Sequence, residues 1–160
     1  MSNKMKHKKS PLPFQGQKRN FIKQFDEALC IYPKEGVYVD LFGGSGLLSH
    51  NIKQKYPNAK VVYNDFDGFT NRIANIPKTN KLLADLRLIT ADLKKDQRII
   101  GRHFTAILNR IKQEKGFVDY ITLSANLLFS GQFAADFDSF SSCEAIMYMD
   151  LALSNSCLRR

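Results

Sequence analysis

The chain has 160 residues, enough for one domain with a buried core, and its 24 Lys and Arg against 15 Asp and Glu give a formal charge of +9. Hydrophobic residues make up 44% and charged residues 24%, no apolar run reaches the length of a membrane span, and the N-terminus has no signal-peptide core, so membrane classes are excluded and a cytoplasmic location is expected. The cysteines Cys30, Cys143 and Cys157 and the histidines His7, His50 and His103 have no metal-ligand spacing, which argues against a metal site and against a disulfide framework.

Residues 1–10 read as a disordered basic arm. Seven Lys or Arg and no acid fall within the first 25 residues. Such an arm suits phosphate backbones, and a solubilising tail has the same composition. Pro11 and Pro13 make "PLPFQGQKR" a loop. Phe21, Phe25 and Leu29 recur at i, i+4 and i+8, with Ile22 and Ala28 beside them. That spacing predicts an amphipathic helix over Gln17 to Ile31, ended by Pro33 and Gly36. "VYVDLF" (Val37–Phe42) reads as a buried strand, Leu47 to Tyr56 as a helix, and "AKVVYND" (Ala59–Asp65) as a second strand. Strand, glycine turn, helix and strand make a βαβ unit of a parallel sheet.

After Gly68 the periodicity becomes helical. Leu82, Leu83, Leu86 and Ile89 form one set, Ile99, Ile100, Phe104, Ile107, Leu108 and Ile111 a second. A third apolar segment runs from Phe117 to about Phe129. No further strand is convincing, so the sheet is expected to be incomplete.

The turn in "VDLFGGSGLLS" limits the ligand. A dinucleotide fingerprint G-x-G-x-x-G starting at Gly44 meets Ser49 where the third glycine belongs. A phosphate-binding P-loop would need Lys-Ser/Thr, which is absent. What remains is F-x-G-x-G, as Phe42, Gly44 and Gly46, with Gly43 between. Glycines let a ligand approach the backbone. Asp40, at the first strand's end, suits an ammonium group. Asp65, 19 residues beyond Gly46, suits ribose hydroxyls. S-adenosylmethionine fits this set. A plain strand-to-helix turn is the alternative.

"PFQGQKRNF" (Pro13–Phe21), "VDLFGGSG" (Val39–Gly46) and "VVYNDFD" (Val61–Asp67) occur in the order that resembles the Dam-type DNA adenine methyltransferases. The resemblance matches Phe14, Gly16 and Lys18 to that family's aromatic-x-Gly-x-Lys element. It matches Phe42, Gly44 and Gly46 to its turn, and Asn64-Asp65 to its acid-ended strand. It implies a Rossmann-like, S-adenosylmethionine-dependent methyltransferase fold of the α/β class, with an incomplete sheet and a mainly helical target-recognition insertion. Residues 11–76 would be the cofactor half and residues 77–160 the target-recognition region. By the same resemblance Phe14 and Lys18 line the cofactor pocket, the turn passes under the methionine moiety, and Asp65 holds the ribose. Double-stranded DNA is the implied partner. Candidate DNA contacts are Lys18 and Arg19, with Asn126, Ser130 and Gln132 in "SANLLFSGQFAADFD". Each is also an ordinary solvated side chain. Arg102, Arg110 and Lys112 either meet phosphates or form a solvated helix face.

The family's chemistry sits on an Asp/Asn-Pro-Pro-Tyr/Phe motif, and this sequence has no Pro-Pro pair. The expectation is therefore an N-terminal portion, inactive alone, whose partner is a C-terminal catalytic half in the same or a separate chain. No catalytic residue is assigned within the sequence. A catalytically dead basic DNA-binding module is the main alternative. A fragment of an NAD-binding oxidoreductase is disfavoured by Ser49.

Overall fold

The computed structural model describes residues 10–144 except 15, 17, 95, 130 and 131. The expected arm over residues 1–10 lies outside the described residues apart from Ser10. The chain divides into two compact units, Met1–Ile73 and Ala74–Arg160.

In the first unit a 3-10 turn, Lys18–Phe21, leads into helix α1, Ile22–Leu29. The predicted helix is thus shorter than its apolar spacing suggests. A 3-10 turn has about three residues per turn, so Phe21 leaves the stripe and lies in solvent. At the other end Cys30, Ile31 and Tyr32 donate to carbonyls three residues back, which tightens the last turn ahead of Pro33.

Strands β1, Val37–Asp40, and β2, Lys60–Tyr63, pair in parallel, with Asp40 beside Tyr63 at their ends. Helix α2, Leu47–Lys55, makes the crossover. The βαβ unit is therefore as expected, but the strands are not buried on both faces. Leu29, Ile52, Tyr56 and Ala59 cover one face, packing with Tyr38 and Val61. On the other face Val37, Val39 and Val62 are 65%, 57% and 43% exposed. β-Branched residues predict a strand; they do not say whether a layer covers each face. Among the described residues of this unit, α1 and α2 supply the helical covering of the one covered face. Helix α3, Phe69–Ala74, follows β2.

The second unit is helical: α4 Ile76–Ile89, α5 Arg102–Lys112, α6 Tyr120–Leu127 and α7 Phe137–Ser141. Leu86, Ile99, Ile107, Ile111, Leu123 and Phe140 form its core, each no more than 1% exposed. Ile99 and Ile100 both precede α5; Ile99 is buried in the core and Ile100 is exposed, so the predicted stripe holds only in part there. Asp119 caps α6, accepting from the Thr122 amide at 3.0 Å and the Thr122 hydroxyl at 2.7 Å. Asp119→Ala is expected to cost about 1–2 kcal/mol, read as a melting point lowered by a few degrees. An unchanged melting point would remove the cap from the stability of this unit. Among the described residues no helix is long and apolar enough to cross a membrane.

Candidate functional site

The parallel register brings the ends of both strands together, and the loops that follow them face one cavity. Beyond Asp40 the chain turns through Leu41–Gly46. The Gly46 amide donates to the Gly43 carbonyl at 2.8 Å, and Gly46 then becomes the N-cap of α2. Gly44 and Gly46 have φ of +51° and +68°, a region that favours glycine. Packing adds a second reason. A Cβ on Gly44 would lie 2.9 Å from the Phe14 ring, and one on Gly43 would lie 2.2 Å from the Tyr63 ring.

The cavity beside this turn has a volume of about 500 Å³. Of the predicted cofactor residues, Phe14, Gly16, Lys18, Phe42, Gly43 and Gly44 line it. Asn64, Phe66 and Asp67, after β2, form another part of its wall. Phe42 and Phe66 are 82% and 89% exposed, so both aromatic faces are open to a ligand. Phe14 is fixed by an edge-on contact with Phe69, ring centroids 5.8 Å apart, and by Arg72, whose guanidinium donates to the Pro13 carbonyl at 2.8 Å.

Three predicted residues stand elsewhere. Asp40 borders an adjoining cavity of about 370 Å³, with Lys18, Leu41 and Phe42 shared between the two. Its carboxylate accepts from the Ser49 hydroxyl at 2.7 Å and lies 3.6 Å from the Lys18 ammonium. Gly46 caps the helix. Asp65 turns towards α3. Its Oδ1 accepts from the Phe69 amide at 2.6 Å and lies 3.0 Å from the Tyr63 hydroxyl, and its Oδ2 accepts from the Thr70 amide at 3.0 Å. Partial burial alone would raise the Asp65 pKa. Bonds from the Thr70 hydroxyl, the Thr70 and Phe69 amides and Tyr63 outweigh it and hold the carboxyl below its ordinary range.

Ser49, Tyr63, Phe66, Asp67 and Arg72 are site residues that motif reading misses. Phe66 and Asp67 are contained in the motif "VVYNDFD" but carry no spacing signal. Ser49 enters the fingerprint argument as an absent glycine; the structure uses its hydroxyl on Asp40. Tyr63 and Arg72 act through register and packing, which leave no one-dimensional mark.

The DNA candidates divide between the units. Arg19 is exposed. Lys18 is engaged with Asp40 and with the Phe42 carbonyl, to which it donates. Asn126 donates back to the Thr122 carbonyl of its own helix at 2.7 Å, and Gln132 is exposed. Ser130 lies outside the described residues. Arg110 is paired with Asp85 and Glu114 at 2.6 and 2.7 Å, so its charge is spent within the fold. Lys112 lies over the Phe137 ring, 5.9 Å from its centroid, and Arg102 pairs with Asp92 at 3.0 Å. Among the described residues no cluster of His, Cys, Asp and Glu could hold a metal ion.

Residues 14–136 match the family of D12 class N6 adenine-specific DNA methyltransferases. A Haemophilus influenzae protein named "Putative methyltransferase" is 42% identical over 137 residues, covering 82% of this chain and 46% of the relative. The chain thus spans about half the length of that relative. No solved structure matches it. The matched stretch contains the glycine turn, both strands and the cavity between them, and the chain belongs to the D12 class of N6 adenine-specific DNA methyltransferases.

Proposed function

We propose that this chain binds S-adenosylmethionine at the ends of β1 and β2 and forms the cofactor-binding part of an enzyme that methylates the exocyclic amine of adenine in double-stranded DNA. The carrying observation is the cavity between the Phe14 segment, the glycine turn and the loop after β2. Its volume is within the usual range for small-molecule sites. Its open rings, Phe42 and Phe66, suit a planar base. Its charges suit a cation: Asp67 is on the wall and Asp40 is next to it, while Lys18, the ammonium on the wall, is already engaged. Ser49 stands where a dinucleotide fingerprint has its third glycine, which favours the sulfonium cofactor over NAD.

When bound, S-adenosylmethionine supplies an electrophilic methyl group on sulfur. The residues of this chain bind and orient it. The glycine turn gives a wall of backbone, Phe14 covers that wall, and Asp40 offers a carboxylate held in place by Ser49. The βαβ unit is read as part of a larger Rossmann-like sheet, and the helical unit as target-recognition structure. The amine-polarising groups of this reading belong to a catalytic half outside the given sequence, in the same or a separate chain, since the sequence has no Pro-Pro pair.

Calorimetric titration tests the ligand. The chain is expected to bind S-adenosylmethionine and to ignore NAD at equal concentration. Equal binding of both, or binding of NAD alone, would overturn the assignment. DNA binding is expected to weaken linearly in log–log form as salt rises, because phosphate contacts release counterions. A salt-independent affinity would remove the DNA backbone as a partner.

A further inference from the structure

Tyr63 is the last residue of β2 and sits beside Asp40 in the sheet register. Its hydroxyl donates to the Gly44 carbonyl at 2.6 Å and lies 3.0 Å from Asp65 Oδ1. Its ring occupies the space a Gly43 Cβ would need and would be 3.7 Å from one on Gly46. One side chain therefore packs on Gly43, holds the Gly44 carbonyl and reaches Asp65, which lies between the wall residues Asn64 and Phe66. Resting on the S-adenosylmethionine reading above, we infer that Tyr63 is a positioning residue for the cofactor site, fixing the glycine turn and the Asp65 carboxylate relative to each other before the ligand arrives.

The chemistry of the hydroxyl supports this role. A phenol has a single proton to donate. Here both neighbouring oxygens are acceptors, so loss of that proton would leave three oxygens facing one another with no donor. Burial, the bond to Asp65 and the negative charges of Asp65, Asp40 and Asp67 push the phenol well above its ordinary pKa. Tyr63 therefore stays a donor throughout the neutral range. Its one proton is shared, with the shorter contact to the turn carbonyl and the longer to Asp65.

The effect extends to the far wall by direct contacts. Asp65 holds the Phe69 amide, the Phe69 ring packs edge-on against Phe14, and Arg72 on the same helix holds Pro13. Phe14 in turn covers Gly44. Tyr63 thus closes a ring of contacts around the cavity. A site held in its binding geometry beforehand loses less ordering entropy when the ligand enters.

A structural tyrosine with no role in binding is the competing account, and Tyr56 provides its control. The Tyr56 hydroxyl donates to the Leu29 carbonyl at 3.0 Å in the same unit, away from the cavity wall. The test is titration of the full chain with S-adenosylmethionine for wild type, Tyr63→Phe and Tyr56→Phe, each with its melting point. Tyr63→Phe keeps the ring contacts and removes the hydroxyl alone. Both variants are expected to melt slightly below wild type. Only Tyr63→Phe is expected to weaken cofactor binding, by about five- to tenfold, the loss of one hydrogen bond. Hydrogen exchange gives a second reading: the amides of residues 43–46 are expected to exchange faster in Tyr63→Phe and unchanged in Tyr56→Phe. Wild-type affinity in Tyr63→Phe overturns the positioning role and leaves the cofactor reading standing. Equal weakening in both variants also overturns it, by showing a general stability effect. If wild type itself binds no S-adenosylmethionine, the cofactor reading falls and this inference with it.

Discussion

Gly43→Ala is expected to reduce S-adenosylmethionine binding at least tenfold and to lower the melting point by roughly 3–10 °C, the scale of about 1–3 kcal/mol of overpacking. The added Cβ would lie 2.2 and 2.4 Å from two carbons of the Tyr63 ring and 2.7 Å from the Asn64 carbonyl oxygen. The ring cannot simply swing aside, because its hydroxyl is bonded to the Gly44 carbonyl. The carbonyl is backbone at the end of β2. Either the turn or the strand end must move, and both carry cavity residues. The other two glycines give a graded comparison. Gly44→Ala meets the Phe14 ring at 2.9 Å, the movable end of a side chain, and adds the strain of φ +51°. Gly46→Ala meets nothing closer than 3.7 Å and carries only the strain of φ +68°, about 1–2 kcal/mol. The expected order of loss in cofactor affinity is therefore Gly43, Gly44, Gly46. Titration and melting of the three variants check it. A series in which Gly46→Ala is worst would mean that backbone conformation, not packing on Tyr63, limits the turn.

That order inverts the emphasis of the motif. F-x-G-x-G marks Gly44 and Gly46 and leaves Gly43 as an unspecified position. A motif records which residues recur; the constraint on Gly43 comes from a side chain 20 residues further along, delivered by the pairing of β1 with β2. The same limit explains the other differences. The apolar spacing of Leu82, Leu83 and Leu86, and of Phe104, Ile107 and Ile111, is local, and the helices and core of the second unit follow it. The covering of a strand face is not local, so Val37 and Val39 read as buried and are open. Phe14, Lys18, Phe42 and Gly44 are legible through the resemblance and line one cavity. Ser49, Tyr63 and Arg72 are not, because each acts on a group brought to it by the fold: Asp40 by one turn of α2, Gly44 by strand register, Pro13 by α3.

Asp65→Ala is expected to lower stability by about 2 kcal/mol at neutral pH and to weaken S-adenosylmethionine binding with it. The carboxylate accepts from the Phe69 and Thr70 amides and from Tyr63, so the variant loses the cap of α3 as well as an acid near the cavity. A helix cap contributes about 0.5–2 kcal/mol, and bonds to a charged acceptor are the stronger ones. The pH dependence follows from the depressed pKa. In the unfolded chain the group titrates near the ordinary aspartate value of 3.8; in the folded chain it titrates lower. Its contribution is fully present above the unfolded value and is lost as pH falls through the folded one. The melting-point gap between wild type and Asp65→Ala should therefore be constant from neutral pH down to about 5 and narrow below about 4. Asp65→Asn, which keeps an acceptor oxygen without the charge, should fall between the two at neutral pH. A gap that persists undiminished at the lowest pH would assign the loss to packing rather than to the ionised cap. The stability effect also changes how a binding loss is read. Asp67 is exposed and lies on the cavity wall, away from the α3 cap, so Asp67→Asn probes an acid on the ligand side without removing that cap. If Asp65 holds the ribose, Asp65→Asn weakens cofactor binding more than Asp67→Asn at a temperature where both variants are fully folded; the reverse order moves the ribose contact to Asp67.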